Sequence, residues 1–250
     1  LGIVIGAIRY LQDRRFRWVI LFSTSAGLLF ATKETAMVTA VVLILAAITA
    51  SIFREVREGR VEFRQAWKEA VANRPSADHI LAGLTIILFL NLVLYSSLFT
   101  NWHGLIDAIM SPFMWTKRSG SEHVKSFWYY GGLLVKLELP LTVGALIAGI
   151  LIAVRGSRLW LFIAAWALGL FLAYSLIGYK TPWLIVSLLL PMALLCGYSA
   201  EMLCERLNHR ATKLLALAFM AAILLTIGSL SHRINLEHYD DNRSVEHTSE

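Results

Sequence analysis

Charge is scarce in this chain: only 16% of its 250 residues are Asp, Glu, Lys or Arg. Cysteine is scarcer still. Cys196 and Cys204 are the only two, and they lie eight positions apart on one expected helix, where they cannot bridge each other. No disulfide framework and no zinc pattern is present, and both read as small apolar packing residues. There is no internal repeat and no low-complexity segment. There is no Walker A motif, dinucleotide fingerprint or nucleophile elbow, so the common nucleotide-driven and serine-hydrolase chemistries are unsupported. No initiator Met, signal peptide or targeting sequence opens the chain. It begins on Leu1–Ile8, which reads as the tail of a span whose start is missing, and it stops in polar sequence. The expectation is a piece of a longer protein.

Apolar sequence is abundant: 57% of residues are hydrophobic, and mean hydropathy is +0.63. Seven runs approach the length needed to cross about 30 Å of hydrocarbon. They are Trp18–Ala31, Ala36–Phe53, Ile80–Phe99, Gly131–Val154, Leu159–Ile177, Trp183–Cys204 and Leu214–Leu230, the first and fifth being short. Runs of this length exclude barrel strands. The fold class expected is therefore all-α: a polytopic transmembrane helix bundle of about seven complete spans plus the end of an eighth, with short interfacial helices. Residues 1–230 form the membrane domain. Residues 231–250 are a polar outer tail or the start of a further domain.

The cations are unevenly distributed. Fifteen of the 23 Lys and Arg residues fall in four short segments, each two spans from the next. These hold Arg9, Arg14, Arg15 and Arg17; Arg54, Arg57, Arg60, Arg64, Lys68 and Arg74; Arg155 and Arg158; Arg206, Arg210 and Lys213. Short loops rich in Lys and Arg stay cytoplasmic. The net charge of +6 then holds these loops against an anionic leaflet. No basic stripe lies on a soluble domain, which speaks against a nucleic-acid partner. Phe63, Trp67, Ala70 and Val71 predict an amphipathic helix lying in the inner interface.

The remaining cations face outward beside His, aromatic and acidic residues, so the outer face is the expected working face. Trp102, Leu105, Ile106, Ile109, Phe113 and Met114 predict a short helix on the outer surface. His103 and Asp107 lie at its side, at i and i+4, and could share a metal but lack a third ligand. The stretch from Thr116 to His123 reads as a mobile loop. It leads into Phe127-Trp128-Tyr129-Tyr130 at the membrane boundary.

Two helices should begin at this face beside a lysine. Thr35 is the expected cap of Ala36–Phe53, after Lys33 and Glu34. Thr181 and Pro182 fit the cap and first position of the helix that follows Tyr179 and Lys180. A helix N-terminus carries about half a positive charge, and a lysine beside it in low dielectric makes an anion site. The anion most simply found at that depth is a lipid phosphate. The alternative is that Lys33 and Lys180 snorkel to the headgroups and Trp183 joins an aromatic belt. Glu138 sits seven positions into its span, about 10 Å deep at 1.5 Å per residue, where an ionisable residue lines a cavity or pairs. It could bridge Lys33 or Lys180, and Pro140 should kink the helix nearby. His123 could hydrogen-bond a phosphate or a sugar hydroxyl.

These residues carry a resemblance. Gly27-Leu28-Leu29-Phe30-Ala31-Thr32-Lys33-Glu34 resembles the "GLxxLTKG" turn of GT-C glycosyltransferases, which include protein O-mannosyltransferases and lipid A aminoarabinose transferases. His123 followed by Phe127-Trp128-Tyr129-Tyr130 is similar to their "H-x-x-P-F-W-Y-Y" loop. Tyr179-Lys180-Thr181-Pro182-Trp183 with Leu188-Leu189-Leu190-Pro191 looks like their "K-x-P-x-Y-x-L-P" helix, in the form of an archaeal and bacterial branch that reads "Y-K-T-P-W". The departures are Glu34 for the usual Gly, Trp183 for Tyr, and no Pro before Phe127. The resemblance implies sugar transfer from a polyprenyl-phosphate carrier at the outer face of the cell membrane to a protein, lipid or glycan acceptor. It implies that Lys33, His123 and Lys180 hold the carrier phosphate, with Glu34, Glu138, Tyr179, Trp183 and Tyr129 in support; no cofactor is indicated beyond the lipid-linked sugar donor, and a divalent metal stays open. The family's catalytic carboxylate belongs to a first outer loop that would precede Leu1. A lipid-linked sugar transporter or flippase, or an accessory envelope protein, would share much of this sequence.

Overall fold

The computed structural model describes residues 1–33, 35–57, 75–117 and 125–206, with scattered positions between 210 and 232. The described residues form helices and no strand element. In chain order these are α1 (Gly2–Asp13), α2 (Phe16–Thr32), α3 (Ala36–Arg57), α4 (Ala77–Tyr95), α5 (His103–Lys117), α6 (Tyr129–Leu137), α7 (Leu139–Arg155) and α8 (Arg158–Leu176), then a 3-10 turn (Pro182–Leu184) running into α9 (Ile185–Arg206).

Four of the helices are long and apolar enough to cross a membrane: α3, α4, α8 and the turn with α9. Counting α6 and α7 as one bent span makes five. These helices point to a membrane protein, but they are fewer than the seven complete spans expected from hydropathy. Three departures account for the difference. At 17 residues, α2 falls short of a full crossing. Most of 214–230 lies outside the described residues. The expected Gly131–Val154 span is two helices, bent by 112° at Glu138.

That break has a local cause. Pro140 lacks an N–H, and its ring opposes the carbonyl four residues back, at Lys136. The chain leaves the helix at Glu138, with φ −131° and ψ 38°. The Glu138 N–H closes α6 on the Leu134 carbonyl, while its carbonyl accepts from the Thr142 N–H and opens α7. Lys136 in the last turn of α6 suits the negative end of that helix. Likewise α4 stops at Tyr95, short of Phe99. Ser96 Oγ takes the Phe99 N–H at 2.9 Å, the side-chain competition that ends helices. Ser97, Leu98 and Phe99 then turn through the left-handed region, with φ of 49°, 59° and 69°.

Two groups of helices result. α2 packs along α1 and α4, whereas α8 packs on α3 and α9, and α9 on α7. Small residues allow the close approaches, as is usual where lipid offers no hydrophobic drive between helices. A Cβ at Gly83 of α4 would stand 2.8 Å from Ser23 Oγ of α2. One at Gly144 of α7 would stand 2.5 Å from Cys196 Sγ of α9. Both cysteines are free. The larger core lies in the second group, where Leu170, Leu188, Tyr130 and Tyr174 are fully buried.

Contacts along the helices define two ends. Tyr10 Oη meets His79 Nδ1 at 2.8 Å, and Arg158 donates to Ser51 Oγ at 2.6 Å. This end gathers Arg14, Arg15, Arg17, Arg155 and Arg158, and is called the arginine end below. At the other, the lysine end, Tyr95 Oη donates to the Phe30 carbonyl at 2.5 Å, and the Lys125 N–H reaches the Gly178 carbonyl at 3.4 Å. The uneven charge of the sequence is thus a spatial separation.

Candidate functional site

The lysine end is built from the α2–α3 turn, the start of α6, the end of α8 and the segment entering α9. Lys33 ends α2 in extended conformation. Its side chain is exposed, and its Nζ donates to Ser187 Oγ of α9 at 2.8 Å. Lys180 differs. It is 2% exposed, and its Nζ donates to the Ile177 carbonyl at 2.5 Å. It lies in the connector between α8 and the 3-10 turn, outside both helices. Burial pulls its ammonium below the ordinary lysine range, because taking a cation from water disfavours the charged form.

Around Lys180 the backbone is held from α6. Tyr130 Oη donates to the Thr181 carbonyl at 3.1 Å, and the Tyr130 ring packs against Tyr174 at 6.2 Å. Tyr129 packs edge-on against Tyr130 at 5.2 Å. Tyr179 is half-buried and Trp183 is exposed.

Thr181 and Pro182 take the cap and first positions, as the sequence predicts, but the Thr181 side chain makes no capping hydrogen bond. The Thr35 side chain does not cap α3 either. Thr35 Oγ1 is buried without a hydrogen-bond partner among the described residues. Nor is Glu138 bridged to a lysine: the ion pairs among the described residues are those of Asp13 with Arg15 and Arg17. The turn of the chain at Glu138 explains this, since α6 and α7 do not share an axis and depth cannot be counted along a single helix.

Two further polar groups near this end went unremarked in the sequence. Tyr174 Oη and Ser175 Oγ, in the last turn of α8, are buried without a hydrogen-bond partner among the described residues. A buried polar group left unpaired costs about 1–3 kcal/mol. Tyr and Ser inside an apolar run give no periodic signal that would have drawn attention to them.

Glu34 and His123 lie outside the described residues, as do most of the loop 116–123 and the amphipathic stretch 63–71. His103 and Asp107 are exposed on α5. No group of three or more His, Cys, Asp or Glu gathers among the described residues. No family model, no curated protein and no solved structure matches the chain.

Proposed function

We propose that the chain is the membrane core of a GT-C-like glycosyltransferase, in the cell membrane, that takes a sugar from a polyprenyl-phosphate carrier at the lysine end. The observation that carries this reading is the Lys33–Ser187 hydrogen bond, 2.8 Å long across 154 positions. It brings the first motif of the resemblance to a residue seven positions after Lys180 in the third. Lys33 is exposed enough to meet a phosphate approaching from the lipid boundary. Lys180 is buried, where a charge-assisted contact is stronger than in water. Together they stabilise the negative charge that grows on the carrier phosphate as the sugar departs. The acceptor hydroxyl or amine must lose a proton to a base. The resemblance assigns that base to a carboxylate in a loop preceding Leu1.

The experiment is binding of polyprenyl monophosphate to the purified full-length protein, followed by sugar transfer from its glycosylated form. Losing one charge-assisted contact worth about 1.5–3 kcal/mol weakens binding about 10- to 150-fold. Lys33→Ala and Lys180→Ala are each expected to show this loss. Wild-type affinity in both variants rejects the reading.

One observation favours a second reading. A helix broken by 112° at Glu138 is a feature of transporters, whose discontinuous helices line a midplane site. Here the break is nearer the lysine end. Gly144 of α7 faces Cys196 of α9, which places Glu138 level with about residue 190, roughly 8 Å into α9. Movement of the lipid-linked sugar between leaflets without its consumption would identify a flippase instead.

A further inference from the structure

A cavity of about 350 Å³ opens between α1, α2 and α4 at the arginine end, a volume within the range of about 300–1,000 Å³ typical of small-ligand sites. Its walls are apolar, with Ala7, Val19, Phe22, Leu84 and Ile87 among them. From His79 to Ile87 it follows α4 for about 12 Å at 1.5 Å per residue. It is therefore an elongated slot parallel to the helices, the direction in which a lipid chain lies. Leu11 and Leu84 stand on its rim, 63% and 52% exposed.

The mouth has a different character. Two lining rings each carry a guanidinium on their faces. Arg14 lies over Tyr10 at 5.3 Å and Arg17 over Trp18 at 4.6 Å. His79 also lines the mouth, with Nδ1 against Tyr10 Oη. Arg14 holds its place as the left-handed cap of α1, with φ 56°. Arg17 shares the Asp13 carboxylate with Arg15, at 3.5 Å each. The charged groups that α1, α2 and the start of α4 bring to the mouth are Arg9, Arg14, Arg15 and Arg17 against Asp13 and Asp78, a net cationic rim.

We infer that this slot holds one chain of an anionic glycerophospholipid from the surrounding leaflet, with the lipid phosphate on Arg14 and Arg17. The apolar slot selects a hydrocarbon chain and the cationic mouth selects the anionic headgroup. Arginine suits this role because its planar fork meets phosphate oxygens in pairs, and it stays charged while stacked on an aromatic face. The site lies at the opposite end of the molecule from Lys33 and Lys180, so it stands or falls apart from the transferase reading.

The test is native mass spectrometry of the full-length protein in detergent, titrated with phosphatidylglycerol and with phosphatidylcholine of the same chains. One phosphatidylglycerol is expected to be retained at least about 10-fold more tightly than phosphatidylcholine, as two basic contacts to an anionic headgroup require. The double variant Arg14→Gln with Arg17→Gln should remove that preference. Ala7→Phe, which fills the slot, should remove retention of either lipid. Lys33→Ala should change neither. Equal retention of the two lipids by the wild type, or an unchanged preference in the double arginine variant, overturns the proposal. If Ala7→Phe fails to fold, the arginine pair decides, because that double change leaves the slot itself intact.

Discussion

Lys33 of the α2–α3 turn holds Ser187 of α9 through a 2.8 Å hydrogen bond, and so pins the first group of helices to the second at the lysine end. The α2–α3 turn is the covalent link between the two groups there, and this bond closes it sideways. A ligand phosphate would compete with Ser187 Oγ for the same ammonium. Occupancy of the site and the contact between the groups are then coupled.

Ser187→Ala frees the Lys33 ammonium without removing it. Polyprenyl phosphate binding is expected not to fall, because the hydroxyl removed competes with the phosphate for the same ammonium. Lys33→Met should lose at least about 10-fold. Equal losses in the two variants would mean that the pair acts as a structural clasp and not as a ligand site. Titration of purified protein with labelled carrier gives the comparison.

The seam between α2 and α4 offers a steric test. Gly83→Ala forces its new methyl against Ser23 Oγ, 2.8 Å away in the present packing. Ser23 is 1% exposed, and its hydroxyl must turn aside to admit the methyl. Overpacking of this kind costs about 1–3 kcal/mol. Adding Ser23→Gly removes the opposing side chain and should recover most of the loss, measured as thermal unfolding in detergent. No recovery would place the clash elsewhere.

The three unpartnered oxygens invite a different experiment. At Tyr174 and Ser175 the hydroxyl is buried without a partner among the described residues. Removing a buried donor that already lacks a partner is near neutral or stabilising. Tyr174→Phe and Ser175→Ala are therefore expected to change stability by less than about 0.5 kcal/mol in empty protein. Carrier binding should fall in the same variants. A loss of 2 kcal/mol or more without ligand would show that each hydroxyl serves the fold.

How much of this was legible in the sequence varies by feature. The helical class followed from the apolar runs, and the separation of charge followed from the spacing of Arg14, Arg155 and Arg158 relative to Lys33 and Lys180. A pattern of spans carries that information because each crossing reverses direction. At Glu138 the sequence predicts only a kink, since Pro140 signals a missing hydrogen bond but not how far the chain will turn once freed. The backbone beside the buried Lys180 is held by Tyr130, 51 positions from Thr181, and no local pattern reports it. The slot between α1 and α4 was invisible for the same reason. Tyr10 and His79 meet across 69 positions, and neither stands in a motif.

The two ends are expected on opposite sides of the membrane. Gln12 and Ser126 are exposed, the first at the arginine end and the second beside the Lys125 contact to Gly178. With Cys196 and Cys204 replaced by Ala, Gln12→Cys should react with an impermeant maleimide only after the cells are opened. Ser126→Cys should react in intact cells. Labelling of both from one side would reject a bundle that crosses between them.

Lys180 allows a test that separates a binding role from a packing role. Its ammonium is buried, and burial holds it below the ordinary lysine range. The unfolded chain returns it to about 10.4. Between those two values the unfolded state binds the proton and the folded state does not. Stability therefore rises with pH through that window, and Lys180 contributes a penalty below it. Lys180→Met keeps the length of the side chain and removes the ionisation. At neutral pH the variant is expected to be as stable as wild type or more so, because a buried, poorly compensated charge has been deleted. Its stability should no longer climb between neutral and alkaline pH. Carrier binding should nevertheless fall by at least about 10-fold. Thermal unfolding in detergent at several pH values, read beside the binding titration, distinguishes the outcomes. A variant that loses stability at neutral pH while binding normally would mean that the contact to the Ile177 carbonyl is what Lys180 is there to make.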